Sequence, residues 1–469
     1  MPDKLADLFS RVVDHAIGAR DSAASRPHRP ELDYAQMLAR FDAPTPEAGA
    51  AGADVIADLI EKATPGLAAM TGPRFFGWVI GGSHPVGVAA DWLTSAWGQN
   101  AANAIATPAA SAVEEISARW LLDILDLPRE ASVGFVSGAT IATFTCLAAA
   151  RSEVLRRAGW DPEADGVFGA PEVTVVIGED AHSTVFQALK YLGFGDTRLS
   201  RVAVDDQGRI VASEFRRALR DARGPKIAIA QAGHIISGAF DPLAEIASAS
   251  QEAGAWLHID GAFGLWARAA SDRAHLAEGI ELADSWATDG HKWLQTPYDC
   301  GYAIVRDAAA HRRAMGMTAS YLPTVNDRNP SDLTPELSRR ARGFATWAMI
   351  RALGRKGIAE MVSRHCAQAQ RLADKLAAEP GVEIVHDVVL NMVAARFGTD
   401  LDEDTADRLT RAAIERIQAK GDCFVGGATW RGRQLIRASV INYGTTDADI
   451  DKSAAAILDG WRAAVQAGE

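Results

Sequence analysis

Between about residue 71 and residue 310, short apolar runs alternate with longer amphipathic ones. GFVS precedes ATFTCLAAARSEVLRRAG, VTVVIG precedes STVFQALKYLG, KIAIAQAG precedes PLAEIASASQEAG, and WLHIDG closes the series. The short runs have strand length and β-branched content, and the longer ones carry helical periodicity. Their alternation predicts βαβ units and a mostly parallel sheet, an α/β architecture. In such sheets ligands bind beyond the carboxyl ends of the strands, so chemistry is expected in the residues just after each apolar run.

The flanks read differently. Residues 1–70 form a helical arm, interrupted by SRPHRP and by the stretch APTPEAGAAGA, with too few apolar positions to bury a core of its own. The span 311–469 opens with the polar segment TVNDRNPSDLTPELSRR and continues in one long helix over FATWAMIRALGRKGIAEMVSRHCAQAQRLADKLAAE. Strands at VEIVH, NMVAARF and QLIRASVI, with a helix over TADRLTRAAIERIQAKG and another at the end, predict a small C-terminal α+β domain. The expected organisation is therefore an arm (1–70), a large domain (71–310), and a connecting segment with a small domain (311–469).

Composition narrows the classes of partner. At 48% hydrophobic and 23% charged residues the 469-residue chain is a globular one with a sizeable interior. Its 48 Lys plus Arg against 60 Asp plus Glu leave a formal charge of -12, which argues against nucleic acid or an anionic membrane as a partner. The N-terminus has no continuous apolar core of the signal-peptide kind, and no stretch reaches membrane-spanning length without a charge, so a cytoplasmic protein is expected. The four cysteines show no CxxC spacing and the histidines no HExxH, so neither a disulfide framework nor a metal is expected.

Four places carry candidate chemistry. In SWATDGHKWLQTPYDCGYAIV, Lys292 follows His291 in an apolar, aromatic setting between two strand-like runs. Desolvation disfavours an ammonium and suits an imine-forming amine, although a lysine snorkelling to the surface fits the same local sequence. In WLHIDGAFG, Asp260 ends an apolar run, where a carboxylate either caps the next helix or holds a pyridinium proton. In GFVSGATIATF, small residues from Ser137 to Thr140 open a helix, either as a plain cap or as a phosphate seat. In EDAHSTVFQALKYLG, His182 stands at a helix start, as a cap or as a flat surface for an aromatic cofactor.

Together these motifs resemble the group II pyridoxal 5′-phosphate (PLP)-dependent decarboxylases, the family of aromatic amino-acid and glutamate decarboxylases. The likeness is most specific over HIDGAFG followed by DSWATDGHKWLQTPYDCGYAIV. It implies the PLP-dependent transferase fold of the aspartate aminotransferase type, fold type I. It also implies a homodimer, and an L-amino acid as substrate for decarboxylation to the amine and carbon dioxide. By that resemblance Lys292 carries PLP as a Schiff base with His291 beside it, Asp260 pairs with the pyridine nitrogen, Ala262 lies against the ring and His182 stacks over it. Ala139 and Thr140 fall at the phosphate turn, and Ser237, in GHIISGAFDPL, falls near the cofactor. Trp78, Val79, Ile80 and His84, in FFGWVIGGSHP, fall in the substrate cleft, with Arg437 of QLIRASVIN and Tyr321 as further substrate candidates.

The chain departs from the family pattern in two places. Ile141 stands where many relatives have glutamate after the phosphate-turn threonine. The segment NDRNPSDL, where decarboxylases commonly supply a tyrosine, has none, and Tyr321 is displaced. This keeps open an oxidative route to an aldehyde, transamination, and a non-catalytic member of the fold. Phe75, Phe76 and Trp78 fit either an apolar or aromatic substrate or plain packing, and Arg74 and Arg437 either receive an acidic substrate or are structural.

Overall fold

The structure, a computed structural model, describes residues 5–317 and 328–468. Its larger sheet holds seven strands: β1 (Ser132–Val136), β2 (Thr174–Gly178), β3 (Ser200–Val202), β4 (Lys226–Gln231), β5 (Trp256–Asp260), β6 (Ser285–Asp289) and β7 (Gly301–Val305). The order is β1-β7-β6-β5-β4-β2-β3. Pairing is parallel from β3 through β2, β4 and β5 to β6, while β7 runs antiparallel to both β6 and β1. The mostly parallel α/β sheet expected from the alternating pattern is therefore present, with one reversed strand.

Strands β1, β5, β6 and β7 are buried at every position, as expected when a sheet is covered on both faces. Their Trp256 and Trp286 are wholly enclosed, and each indole N–H has found a partner, the Ser285 hydroxyl at 2.9 Å and the Ile280 carbonyl at 2.8 Å. Such pairing lets a large amphipathic ring sit in a core without an orphaned donor.

Among the described residues the helices are α1 (Leu5–Asp21), α2 (Tyr34–Phe41), α3 (Gly52–Ala63), α4 (Pro85–Trp97), α5 (Pro108–Ile124), α6 (Ala139–Arg157), α7 (Pro162–Asp165) and α8 (Ser183–Tyr191). They continue with α9 (Ala212–Asp221), α10 (Leu243–Glu252), α11 (Ala308–Met315), α12 (Gly343–Ala377), α13 (Glu403–Lys420) and α14 (Asp447–Ala467). Helix α6, rich in alanine and buried along most of its length, packs across β7 and β6, and Arg156 and Arg157 in its last turn complement its dipole.

The smaller sheet holds β8 (Val382–Ile384), β9 (Met392–Phe397), β10 (Gly426–Trp430) and β11 (Arg433–Ser439) in the order β10-β11-β9-β8. Strand β10 was not expected. It begins with two glycines and alternates between half-buried and exposed positions, so its apolar signal is weak. The long helix over 343–377 is broken at Gly354, whose φ of 62° and ψ of 174° lie outside helical values and suit a residue without a Cβ.

The chain divides into two compact units. One comprises residues 1–78, 371–384 and 395–469, the other residues 79–370 and 385–394. In the first unit, α1, α2 and α3 bury no residue at all. The 3-10 turn and loop that follow α1 are tied down by Arg74, which reaches the Ala24 carbonyl at 2.6 Å, the Asp422 carbonyl at 2.8 Å and the Asp449 carboxylate at 2.8 Å. Of the two readings of Arg74, these bonds favour the structural one, because its guanidinium is committed within its own unit. Phe75 and Phe76 are likewise core residues, Phe75 stacked on Phe424 at 4.5 Å.

Candidate active site

Strands β5 and β6 are parallel neighbours, so their last residues, Asp260 and Asp289, emerge at the same edge of the sheet. Asp260 is enclosed, and its Oδ1 accepts from the Ala262 N–H at 3.1 Å. Burial pushes its pKa up, opposed by the charges of His182 and Lys292 and reinforced by Asp289. A carboxylate in this setting is strongly basic, and a cationic ring N–H would both pair with it and offset the cost of burying its charge.

Asp289 is held on all sides. Its N–H donates to the Ala262 carbonyl at 3.0 Å, and its own carbonyl accepts from the Trp266 indole at 3.1 Å. After it the chain turns through Gly290 and His291 to Lys292. The Lys292 Nζ lies 2.9 Å from Asp289 Oδ2 and 5.8 Å from the centre of the Phe263 ring, with its side chain 16% exposed. The lysine is thus an inward-facing amine beside an aromatic ring and a carboxylate, not a snorkelling one.

His291 Nε2 stands 3.5 Å from Asp289 Oδ1, its Nδ1 accepts from the Cys300 N–H at 3.3 Å, and its ring meets that of Tyr298 at 4.3 Å. Burial lowers its pKa, so it is a neutral imidazole at neutral pH. The loop beyond is anchored by Trp293, wholly buried, whose indole donates to His365 Nδ1 at 2.9 Å.

The turn read from the sequence as a cap or a phosphate seat opens α6 at Gly138. A Cβ on Gly301 would fall 2.5 Å from the Gly138 Cα, so two glycines let β7 and the turn close together. The first N–H of the helix, that of Ala139, donates to Asp289 Oδ1 at 2.6 Å, and Thr140 follows, half-buried. His182 caps α8, its Nδ1 accepting from the Thr184 N–H at 3.3 Å. Beside it a crevice is lined by Gly178, Asp180, Ala181, Gln231, Asp241 and Asp260.

Ser237 is buried, and its hydroxyl donates to the Gln207 carbonyl at 2.6 Å and accepts from the Ala239 N–H at 3.2 Å. Val79, Ile80 and His84 share a unit with the lysine loop. That segment is pinned to the loop by Gly81 N–H to the His291 carbonyl and by His84 N–H to the Gln295 carbonyl, both at 2.9 Å. Trp78 and Arg437 belong to the other unit. Trp78 is exposed and stacks with Phe75 at 6.0 Å, and Arg437 on β11 is buried, which lowers its pKa to about 10. Tyr321 lies outside the described residues.

The sequence pattern did not single out Asp289, Asp241 or Phe263. Asp241 is a buried carboxyl that accepts from the Ile210 N–H at 2.8 Å and the Gln231 N–H at 2.7 Å, clamping the end of β4 beside Asp260. Among the described residues no cluster of side chains suits a metal ion, and no helix is long and apolar enough to cross a membrane.

An amine, a desolvated carboxyl and a helix N-terminus gathered at one sheet edge have the donor chemistry that PLP needs at its carbonyl, its ring nitrogen and its phosphate. Comparison with known proteins agrees. A crystal structure of Oryza sativa TDC with PLP and tryptamine superimposes with a TM-score of 0.91 over 99% of both chains at 23% identity, which defines the fold class as that of the α/β PLP-dependent decarboxylases. Residues 35–397 match the pyridoxal-dependent decarboxylase conserved domain, and the chain belongs to that family, whose cofactor is PLP. An aromatic-L-amino-acid decarboxylase of Bacillus atrophaeus is 26% identical over 95% of this chain and 92% of its own length. A 4-hydroxyphenylacetaldehyde synthase of Rhodiola rosea is 24% identical over 93% of this chain and 90% of its own length.

Proposed function

We propose that the protein decarboxylates an L-amino acid to the amine and carbon dioxide, with PLP held covalently on Lys292. The observation that carries this reading is the placement of Lys292 and the buried Asp260 at one sheet edge, the amine 2.9 Å from a second carboxylate and facing Phe263.

When bound, PLP supplies an electron sink for the pair left on the substrate α-carbon as carbon dioxide departs. Asp260 would hold the proton at the ring nitrogen, its carboxyl fixed by the Ala262 N–H. His182 would cover the ring, and Ala262 would support its other face. Ala139 and Thr140 would hold the phosphate at the start of α6, where N–H groups and the helix dipole favour an anion. Once a substrate amine has taken its place, Lys292 is free to move a proton at Nζ, and the Phe263 ring and the enclosed loop around Trp293 keep bulk water from it. Val79, Ile80 and His84, pinned to the same loop, would border the substrate.

An aldehyde-forming route is the second reading, favoured by the absence of tyrosine from NDRNPSDL and by the aldehyde synthase among the relatives. The test is a panel of carboxyl-labelled L-amino acids, aromatic ones first because relatives bear that name. Amine with labelled carbon dioxide supports decarboxylation, aldehyde with peroxide supports the second reading, and a keto acid contradicts both. The protein would act in the cytoplasm as a homodimer, in keeping with four buried free cysteines and with the apolar residues Leu5, Phe9 and Ile17 exposed along one face of α1.

A further inference from the structure

We propose that Asp289 is a positioning residue that ties the amine of Lys292 to the helix N-terminus receiving the cofactor phosphate, so that a phosphate arriving there releases the lysine for imine formation. The proposal rests on the cofactor placement given above and adds a step that comes before it.

A single carboxylate makes both connections. Oδ1 accepts from the Ala139 N–H at 2.6 Å, at the first residue of α6, and Oδ2 pairs with Lys292 Nζ at 2.9 Å. The side chain is 4% exposed, and its backbone is fixed by Ala262 and Trp266, so the carboxylate can answer a new neighbour only by rotating about its own bonds. Gly138 leaves it the room, since a Cβ there would stand 3.3 Å from Asp289 Oδ1.

A phosphate seated at the start of α6 requires the N–H that Asp289 now occupies. Two anions cannot share that donor at contact distance without severe repulsion, and the dianion makes the stronger claim on a helix N-terminus. The carboxylate is then drawn away, and the lysine loses a partner held by charge and hydrogen bond together. This matters because a paired ammonium has no electron pair for a carbonyl. Once released it gives its extra proton to the phosphate or to water. The amine nitrogen then bonds the carbonyl carbon, and the carbonyl oxygen leaves as water with the two amine hydrogens.

The experiment uses the full chain freed of cofactor and separates the phosphate from the aldehyde. Imine formation with pyridoxal, which lacks the phosphate, is followed by absorbance and by borohydride trapping on Lys292, with and without inorganic phosphate. Added phosphate is expected to speed the wild-type reaction about tenfold, the equivalent of one charged hydrogen bond. Asp289→Asn is expected to react at the faster rate without phosphate and to gain nothing from it. No acceleration of the wild type by phosphate overturns the proposal, as does an equal acceleration of Asp289→Asn. If PLP itself forms no imine on wild-type Lys292, the cofactor placement fails and the proposal falls with it. An imine with PLP that forms without any phosphate effect on pyridoxal removes the tether alone.

Discussion

Asp260 ends β5 and Asp241 clamps the end of neighbouring β4 from the loop beyond it, and each is a buried carboxyl with a different task. Asp260 faces cationic groups, and Asp260→Asn keeps the shape but removes the charge that would hold a proton on the ring nitrogen. Turnover is expected to fall by about 10²-fold or more while imine absorbance persists, a split that steady-state kinetics and spectra on one sample reveal. Asp241 serves the fold. Burial raises its pKa to about 7, so the folded state holds a proton that the unfolded chain releases near 3.8. Its contribution is therefore full below the unfolded value and is lost as pH rises through 7. Asp241→Asn is expected to flatten that dependence, and to cost about 1–3 kcal/mol because an amide N–H₂ must face one of the two backbone donors. Urea unfolding at pH 4.5 and 7.5, roughly either side of the main loss, measures both effects.

Elements decide which of these residues meet. The rule that ligands lie beyond strand ends made Asp260 legible, because it closes an apolar run. It left Asp289 in the shadow of the turn DGHK, since its partner Ala139 lies 150 residues away. The two readings of Arg74 could not be told apart for the same reason, its carboxylate partner being 375 residues distant. Strand β3, three residues long, and the glycine-led β10 carry too little apolar pattern to be seen, whereas the fully buried β5 and β6 carry a great deal. The close approach of β7 to the turn at Gly138, the proposed phosphate seat, offers a test at this scale. Gly301→Ala would force a Cβ to within 2.5 Å of the Gly138 backbone, and a strand cannot give way as a flexible side chain can. A loss of about 1–3 kcal/mol in urea unfolding is expected, together with weaker retention of PLP on dialysis.

Across the whole molecule, buried histidines dominate the response to acid. His258, beside the Ser285 hydroxyl, and His311, beside that of Ser132, are both enclosed, and burial lowers each pKa to about 3. Their stabilisation is present above the unfolded value of 6.5 and is lost as pH falls toward 3. Asp241, Asp260 and Asp284, raised by burial, work in the opposite direction over part of that range, but His28, His291 and His386, each also lowered by burial, join the histidine side. The thermal midpoint is therefore expected to be lower at pH 5 than at pH 7, by calorimetry at constant ionic strength, and a higher midpoint at pH 5 would contradict this balance.

Lys292, and no other lysine, is the proposed carrier of the cofactor. Borohydride reduction of the PLP-loaded protein followed by peptide mapping tests this most directly. The expected result is one pyridoxyl adduct, on the peptide containing Lys292, and none in Lys292→Ala. An adduct that maps to another lysine, or that survives in Lys292→Ala at wild-type yield, would contradict the account.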